Sequence, residues 1–118
     1  AVLAAGALLI GGIGSVDAAN WYTVGTDSNG ITWSIDNDSV KKDDKKAVLD
    51  IKAMDYEGYH YIVTEEFNHK KREVKDVKVT LYNPKGEVVK QEQPNKSTRK
   101  VEQGTPAYAV YTLIWGDK

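Results

Sequence analysis

Apolar and polar residues alternate with a period of two in one stretch of this chain after another, and each stretch ends in a cluster of Asp, Asn, Ser or Gly. Ile31, Trp33 and Ile35 alternate with Thr32, Ser34 and Asp36, which is the period of a strand with one apolar and one polar face. The run breaks at Asp36-Asn37-Asp38-Ser39, whose short side chains bond nearby backbone amides and favour a turn before re-entry at Val40. Ala47 to Tyr56 alternates again, with Leu49, Ile51 and Ala53 on one face and Asp50 and Lys52 on the other, and Glu57-Gly58 is the next turn. Gly58 to Phe67 sets Tyr59, Tyr61, Val63 and Phe67 against His60, Ile62, Thr64 and Glu66, so these two runs predict a hairpin. Asp76 to Tyr82 alternates through Val77, Val79 and Leu81. Asn83-Pro84-Lys85-Gly86 then turns the chain into a partner strand, Glu87 to Glu92, with Val88 and Val89 as its apolar content. At the front, Trp21 to Gly25 suits a strand, and Asn29-Gly30 closes a tight turn that pairs it antiparallel with the Ile31 run.

Three segments fall outside this pattern. Lys41 to Lys46 (KKDDKK) is a charge run of both signs and is expected to be a solvated loop. Gln91 to Gly104 reads as a loop with a short edge strand near Arg99 to Val101. The tail changes character at Thr105-Pro106, a capping residue followed by the residue that suits the first helical position. Tyr108, Tyr111 and Trp115, with Leu113 or Ile114, form a helical stripe, and Gly116 falls where a helix stops. The same tail can alternate as a strand; the caps favour a helix. The expected fold is therefore α+β: an antiparallel sheet of five or six strands, one face packed by a single C-terminal helix, with Trp33 in the core. One helix covers only part of such a sheet, so the aromatics it leaves open, Tyr22, Tyr59 and Tyr61, are candidates for a homodimer contact or a ligand.

Residues 1–18 lie outside that domain. Ala1 to Gly14 is an uncharged run too short to span a bilayer comfortably, and Val16-Asp17-Ala18 offers small residues where a signal peptidase inspects the chain. It reads as the apolar part of a signal peptide, with cleavage after Ala18 or Ala19 and a single domain over 19–118. An uncleaved membrane anchor and a buried N-terminal helix are the alternatives, and Gly6, Gly11, Gly12 and Gly14 weigh against a folded helix. After removal of Asp17 with this segment, 16 basic residues stand against 16 acidic ones, which argues against a dedicated nucleic-acid binder. Cysteine is absent, so disulfides, thiolate zinc sites, lipid attachment at cysteine and thiol nucleophiles are excluded, and stability must come from the core.

Trp21 with Val24-Gly25, Trp33-Ser34-Ile35-Asp36 leading to Ser39-Val40, and Gly104-Thr105-Pro106 before an aromatic tail resemble the surface-adhesin protein E family of small exported bacterial proteins. The resemblance covers most of the domain as scattered positions. It implies a small antiparallel sheet with a C-terminal helix, export to the cell surface, periplasm or medium, a tendency to dimerise, and binding to host extracellular-matrix or plasma proteins. This chain departs from the family in lacking its cysteines, and no ligand-contact residue carries over.

The residues themselves offer little chemistry. His60 and His69 are the two histidines, and their odd separation places them on opposite faces of a continuous strand, away from a shared metal. Glu65 and Glu66 are neighbours that point apart and cannot form a facing acid and base pair. No nucleophile elbow or phosphate loop is present, and no cofactor is expected. Asp27 to Gly30 and Asp36 to Asp38 carry oxygens that suit calcium but lack the full loop spacing. The basic run His69-Lys70-Lys71-Arg72 suits a sulfated glycan or an acidic partner. Candidate contact residues are thus Tyr22, Tyr59, Tyr61, Lys70, Lys71 and Arg72. Two classes of function remain: a non-enzymatic exported binding protein of adhesin type, and a small envelope inhibitor or accessory module that binds a bacterial protein.

Overall fold

The computed structural model describes residues 19–116; the stretch read from sequence as a signal segment, residues 1–18, lies outside the described residues. Eight strands form one antiparallel sheet. They are β1 (Trp21–Thr26), β2 (Thr32–Asp36), β3 (Lys41–Lys42), β4 (Lys46–Met54), β5 (His60–Asn68), β6 (Glu73–Tyr82), β7 (Val88–Glu92) and β8 (Arg99–Lys100), followed by one helix, α1 (Pro106–Trp115). The main path runs β1-β2-β4-β5-β6-β7, with β3 added to β4 and β8 to β6. The six longer strands were therefore legible in the sequence, four of them as alternating runs; of the two-residue pieces, β8 falls at the edge strand expected near Arg99 to Val101, and β3 was not expected. The α+β class is as expected.

One device turns the chain three times at the same end of the sheet. Asp27, Asp55 and Asn83 each accept two backbone N–H groups on a side-chain oxygen, from the residues two and four positions on. Gly30, Gly58 and Gly86, three positions after them, take positive φ and donate back to the carbonyl of the first residue. The short side chain supplies a partner that the turn backbone lacks, and glycine supplies the left-handed angle without a Cβ clash. These turns follow one another at a constant spacing of 28 residues.

The alternation is broken where the register slips. Val77 is an extra residue between the pairs Thr64↔Lys78 and Glu65↔Asp76, so the alternation read through Val77, Val79 and Leu81 breaks there, and Val77 is exposed. Below this bulge Val74 and Asp76 continue the inward row instead. Similar slips at Val24 on β1 and Val89 on β7 mark both outer strands of the main path; a bulge on an edge twists it away from pairing with another chain. Val88 and Val89 consequently lie in the open rather than in the core.

The charge run at 41–46 is exposed throughout but is not a plain loop. Lys41 and Lys42 pair with Val48 and Ala47, and the Asp43 carboxylate accepts the amides of Lys45 and Lys46. Those amide bonds, first Lys45 and then Lys46, hold the Asp43 carboxyl below its ordinary range despite some desolvation.

Helix α1 begins as its sequence indicates. Thr105 caps the amide of Tyr108, Pro106 opens the helix and Gly116 ends it with φ 88°. Val110, Tyr111 and Ile114 are buried against Ile35, Ala47, Leu49, Ile51, Phe67, Val74 and Val101. The helix end is tied down by polar contacts. Tyr111 Oη donates to the His69 carbonyl at 2.7 Å, Trp115 Nε1 to the Asp43 carbonyl at 3.0 Å, and Lys42 Nζ to the Ile114 carbonyl at 2.6 Å. That last contact puts a cation on the negative end of the helix dipole. Trp33 is half-buried rather than fully enclosed: it packs against the core rim, and its Nε1 donates to Asp27 Oδ2 at 2.9 Å.

Candidate functional site

The pairing register lays the face beneath α1 out in rows. Trp33, Ala53, Tyr61 and Leu81 stand side by side in one row across β2, β4, β5 and β6, and Ile35, Ile51, Val63 and Val79 in the next. The helix seals Ile35 and Ile51 together with the rows of Leu49 and Phe67. Val63, Val79, Leu81 and Ala53 are left half-buried, and Tyr61 is 37% exposed. A strip of apolar sheet thus continues past the helix toward the end that carries the three similar turns.

The six residues singled out from sequence do not form one site. Tyr61 lies on the open strip, where its hydroxyl donates to Glu92 Oε2 at 2.9 Å and Lys90 reaches the same oxygen at 3.4 Å. That bond to a carboxylate, with some desolvation, raises the Tyr61 phenol above its usual range. Tyr59 sits just beyond the start of β5 at the same end of the sheet, and Tyr56, exposed in the same turn, joins it. Tyr22 lies three strands from Tyr61 in the sheet order. It lines a cleft of about 330 Å³ with Ile35, Val40, Lys42 and Leu113 at the flank of the helix. Lys70, Lys71 and Arg72 occupy the turn after β5, a strand's length of about 30 Å from Tyr59 and Tyr61. Arg72 holds φ 52° and sets its guanidinium over the Tyr111 ring at 5.7 Å.

The histidines are apart, as their spacing implied. His60 stacks on Tyr82, while His69 lies past the strand end and stacks on Trp115 with ring centroids 4.3 Å apart. Among the described residues, no group of three His, Asp or Glu side chains is placed to hold a metal ion. Both Asp27 oxygens and Asp36 Oδ1 are spent on turn amides, the Trp33 indole and the Asn20 amide. On the far face, Lys52 lies over the Trp21 ring at 4.6 Å, and partial burial lowers its ammonium from the usual value.

One titratable cluster was missed. Glu65 does point away from Glu66, but the direction it takes is inward, between Val63 and Phe67, where its side chain is 12% exposed. Across the bulge stands Asp76, and one guanidinium serves both carboxyls: Arg99 Nη2 lies 2.8 Å from Asp76 Oδ1 and 3.7 Å from Glu65 Oε1. Glu65 Oε2 is buried and receives no donor. Burial above all, and then the bond with Asp76, push the Glu65 carboxyl from 4.5 up to about 9, so at neutral pH it keeps its proton. Burial works against the charge on Asp76, but the Glu65 proton and Arg99 outweigh it and hold Asp76 below its usual range. The cluster also anchors the segment between β7 and β8, because the Asp76 amide donates to the Asn95 carbonyl. A signal existed in the sequence: Glu65 has the parity of Val63 and Phe67. Its partner did not, because the bulge changes the register by one residue.

No protein-family model, curated protein or solved structure matches the chain.

Proposed function

We propose that this chain is a non-enzymatic, exported binding protein of adhesin type, which holds a protein partner on the strip of sheet that α1 leaves open. The observation that carries the reading is the mismatch between the apolar face and its cover. The row of Trp33, Ala53, Tyr61 and Leu81 continues the core outward and includes a tyrosine whose ring is partly open and whose hydroxyl is already bonded. Aromatics with a polar tip are favoured anchors of protein interfaces. The bulges on β1 and β7 direct association to the face rather than to the edges. The most perturbed acid, Glu65, supports a structural rather than a catalytic role, since its Oε2 is shut off from solvent and its carboxyl is held between Asp76 and Arg99. Export and a partner among host matrix or plasma proteins accord with the resemblance to surface-adhesin protein E, and the envelope inhibitor or accessory module uses the same face for a bacterial partner.

The test pairs two measurements on the wild type and on Tyr59→Ala/Tyr61→Ala, two positions that leave the buried core intact. Immobilised matrix and plasma proteins are expected to retain the wild type and to lose about tenfold in affinity for the variant. Light scattering gives the native mass. A dimer that the double substitution dissociates assigns the strip to a second copy. Unchanged binding and unchanged mass in a folded variant would remove the strip from the reading.

A further inference from the structure

The sheet end opposite the three similar turns gathers positive charge from two separate sequence segments. Residues 41–46 and 69–72 hold seven basic residues and two acidic ones, in a chain whose formal net charge is −1. The first was expected to be an ordinary solvated loop of mixed sign. His69 locks the two turns together: its backbone N–H donates to the Lys45 carbonyl at 2.9 Å and its ring Nδ1 bonds the Asp44 carbonyl at 2.8 Å. Its ring is held from the other side by the Trp115 stack. Lys100 on β8 adds a further cation by donating to the Lys71 carbonyl at 3.1 Å.

Apart from Lys100, which pairs with Glu73, these cations have no ion-pair partner among the described residues, and Asp43 acts on Lys45 and Lys46 only at longer range. Lys75, Lys90 and Lys100 each lie within 4 Å of a glutamate oxygen. The exposed ammonium groups of Lys41, Lys45, Lys46, Lys70 and Lys71 make no ion pair among the described residues. Asp43, the nearest acid to Lys45 and Lys46, spends its carboxylate on their backbone amides. Five strands, β3, β4, β5, β6 and β8, lie side by side at this end, a width of about 19 Å at ordinary strand spacing.

We propose that this basic end is a docking surface for a linear sulfated polysaccharide, independent of the open strip on the sheet face. An extended array of lysines without a pocket suits a flexible polyanion that offers charge along its length. Single-stranded nucleic acid binds best where aromatic faces are free to stack bases, and here His69 is stacked on Trp115, Tyr111 packs edge-on against both, and all three are hydrogen-bonded to the backbone. A bilayer is held firmly when a basic patch is joined to an apolar anchor, and neither turn contains an apolar side chain.

The probe is heparin, titrated against the full chain at about 0.1 M salt, where charges interact over about 10 Å. Saturable binding is expected. Lys70→Glu/Lys71→Glu and Lys45→Glu/Lys46→Glu are each expected to weaken it by about tenfold or more, while Lys85→Glu, in the turn at the opposite end, changes it less than about twofold. The substituted side chains are exposed and make no hydrogen bond, so the variants keep the fold, which circular dichroism checks. Three results overturn the proposal: no binding of heparin, an equal loss with Lys85→Glu, or tighter binding to phosphatidylserine vesicles or to a single-stranded oligonucleotide of equal charge. Because the Tyr59→Ala/Tyr61→Ala variant leaves this end untouched, it is expected to bind heparin like the wild type whatever becomes of the protein partner.

Discussion

Replacing Glu65 by glutamine separates the cost of a buried proton from the packing of the group that carries it. The folded protein keeps this proton up to about pH 9, whereas in the unfolded chain a glutamic acid releases it near 4.5. Between those values the unfolded state binds fewer protons than the folded one, so stability contributed at low pH is lost as the pH rises. The slope is about 1.4 kcal/mol per pH unit. Glutamine has nearly the same shape, donates permanently to Asp76 and does not titrate. At pH 4 the two proteins are therefore expected to be equally stable. At pH 7, some 2.5 units above the ordinary value of 4.5, the variant is expected to be more stable by about 3 kcal/mol, with the gap widening toward pH 9 and constant above it. Urea unfolding of both proteins from pH 4 to 10 measures the difference, from which all other titrating groups cancel unless they touch Glu65. Among the described residues, Asp76 and Arg99 lie against it, and Tyr111 of the helix is committed to the His69 carbonyl. A difference that does not vary with pH would refute the reasoning, and a variant less stable at pH 7 would show Glu65 ionised in the folded state.

Two further substitutions test the frame. Gly58→Ala is expected to cost about 1 to 2 kcal/mol by thermal unfolding, because φ is 97° and the added Cβ would stand 3.1 Å from Pro84 Cβ; the equivalent change at Gly86, where nothing crowds the site, should cost less. Trp33→Ala is expected to lose about 2 to 4 kcal/mol, since a large aromatic leaves the core rim and Asp27 loses an indole donor; a variant as stable as the parent in urea would contradict that placement.

Much of the fold was legible because it is encoded at short range. Alternation marked four of the six longer strands, residue type and turn signals marked β1 and β7, and Thr105-Pro106 with Gly116 marked both ends of the helix. The turns at Asp27, Asp55 and Asn83 were legible one by one, and their common spacing of 28 residues was in the sequence to be seen. The bulge at Val77 was not: an unbroken run of Val77, Val79 and Leu81 satisfies alternation, and only pairing with β5 shows that one residue is extra. The candidate tyrosines and basic residues are exposed, and the strand read between Tyr61 and Lys71 already set those two about 30 Å apart; that Tyr61 shares a row with Trp33 and Leu81 came only from the strand register.

Taken by itself, the sequence determined where the chain extends, where it turns and where it coils, because period, capping and turn chemistry act within a few residues. Tertiary structure decided how much of the sheet α1 covers, that Glu65 meets Asp76 under Arg99, and that the segments at 41–46 and 69–72 share one end. Those outcomes depend on the register between strands and on the docking of a helix from the far end of the chain. Both are fixed by the sum of many distant contacts that no local pattern records.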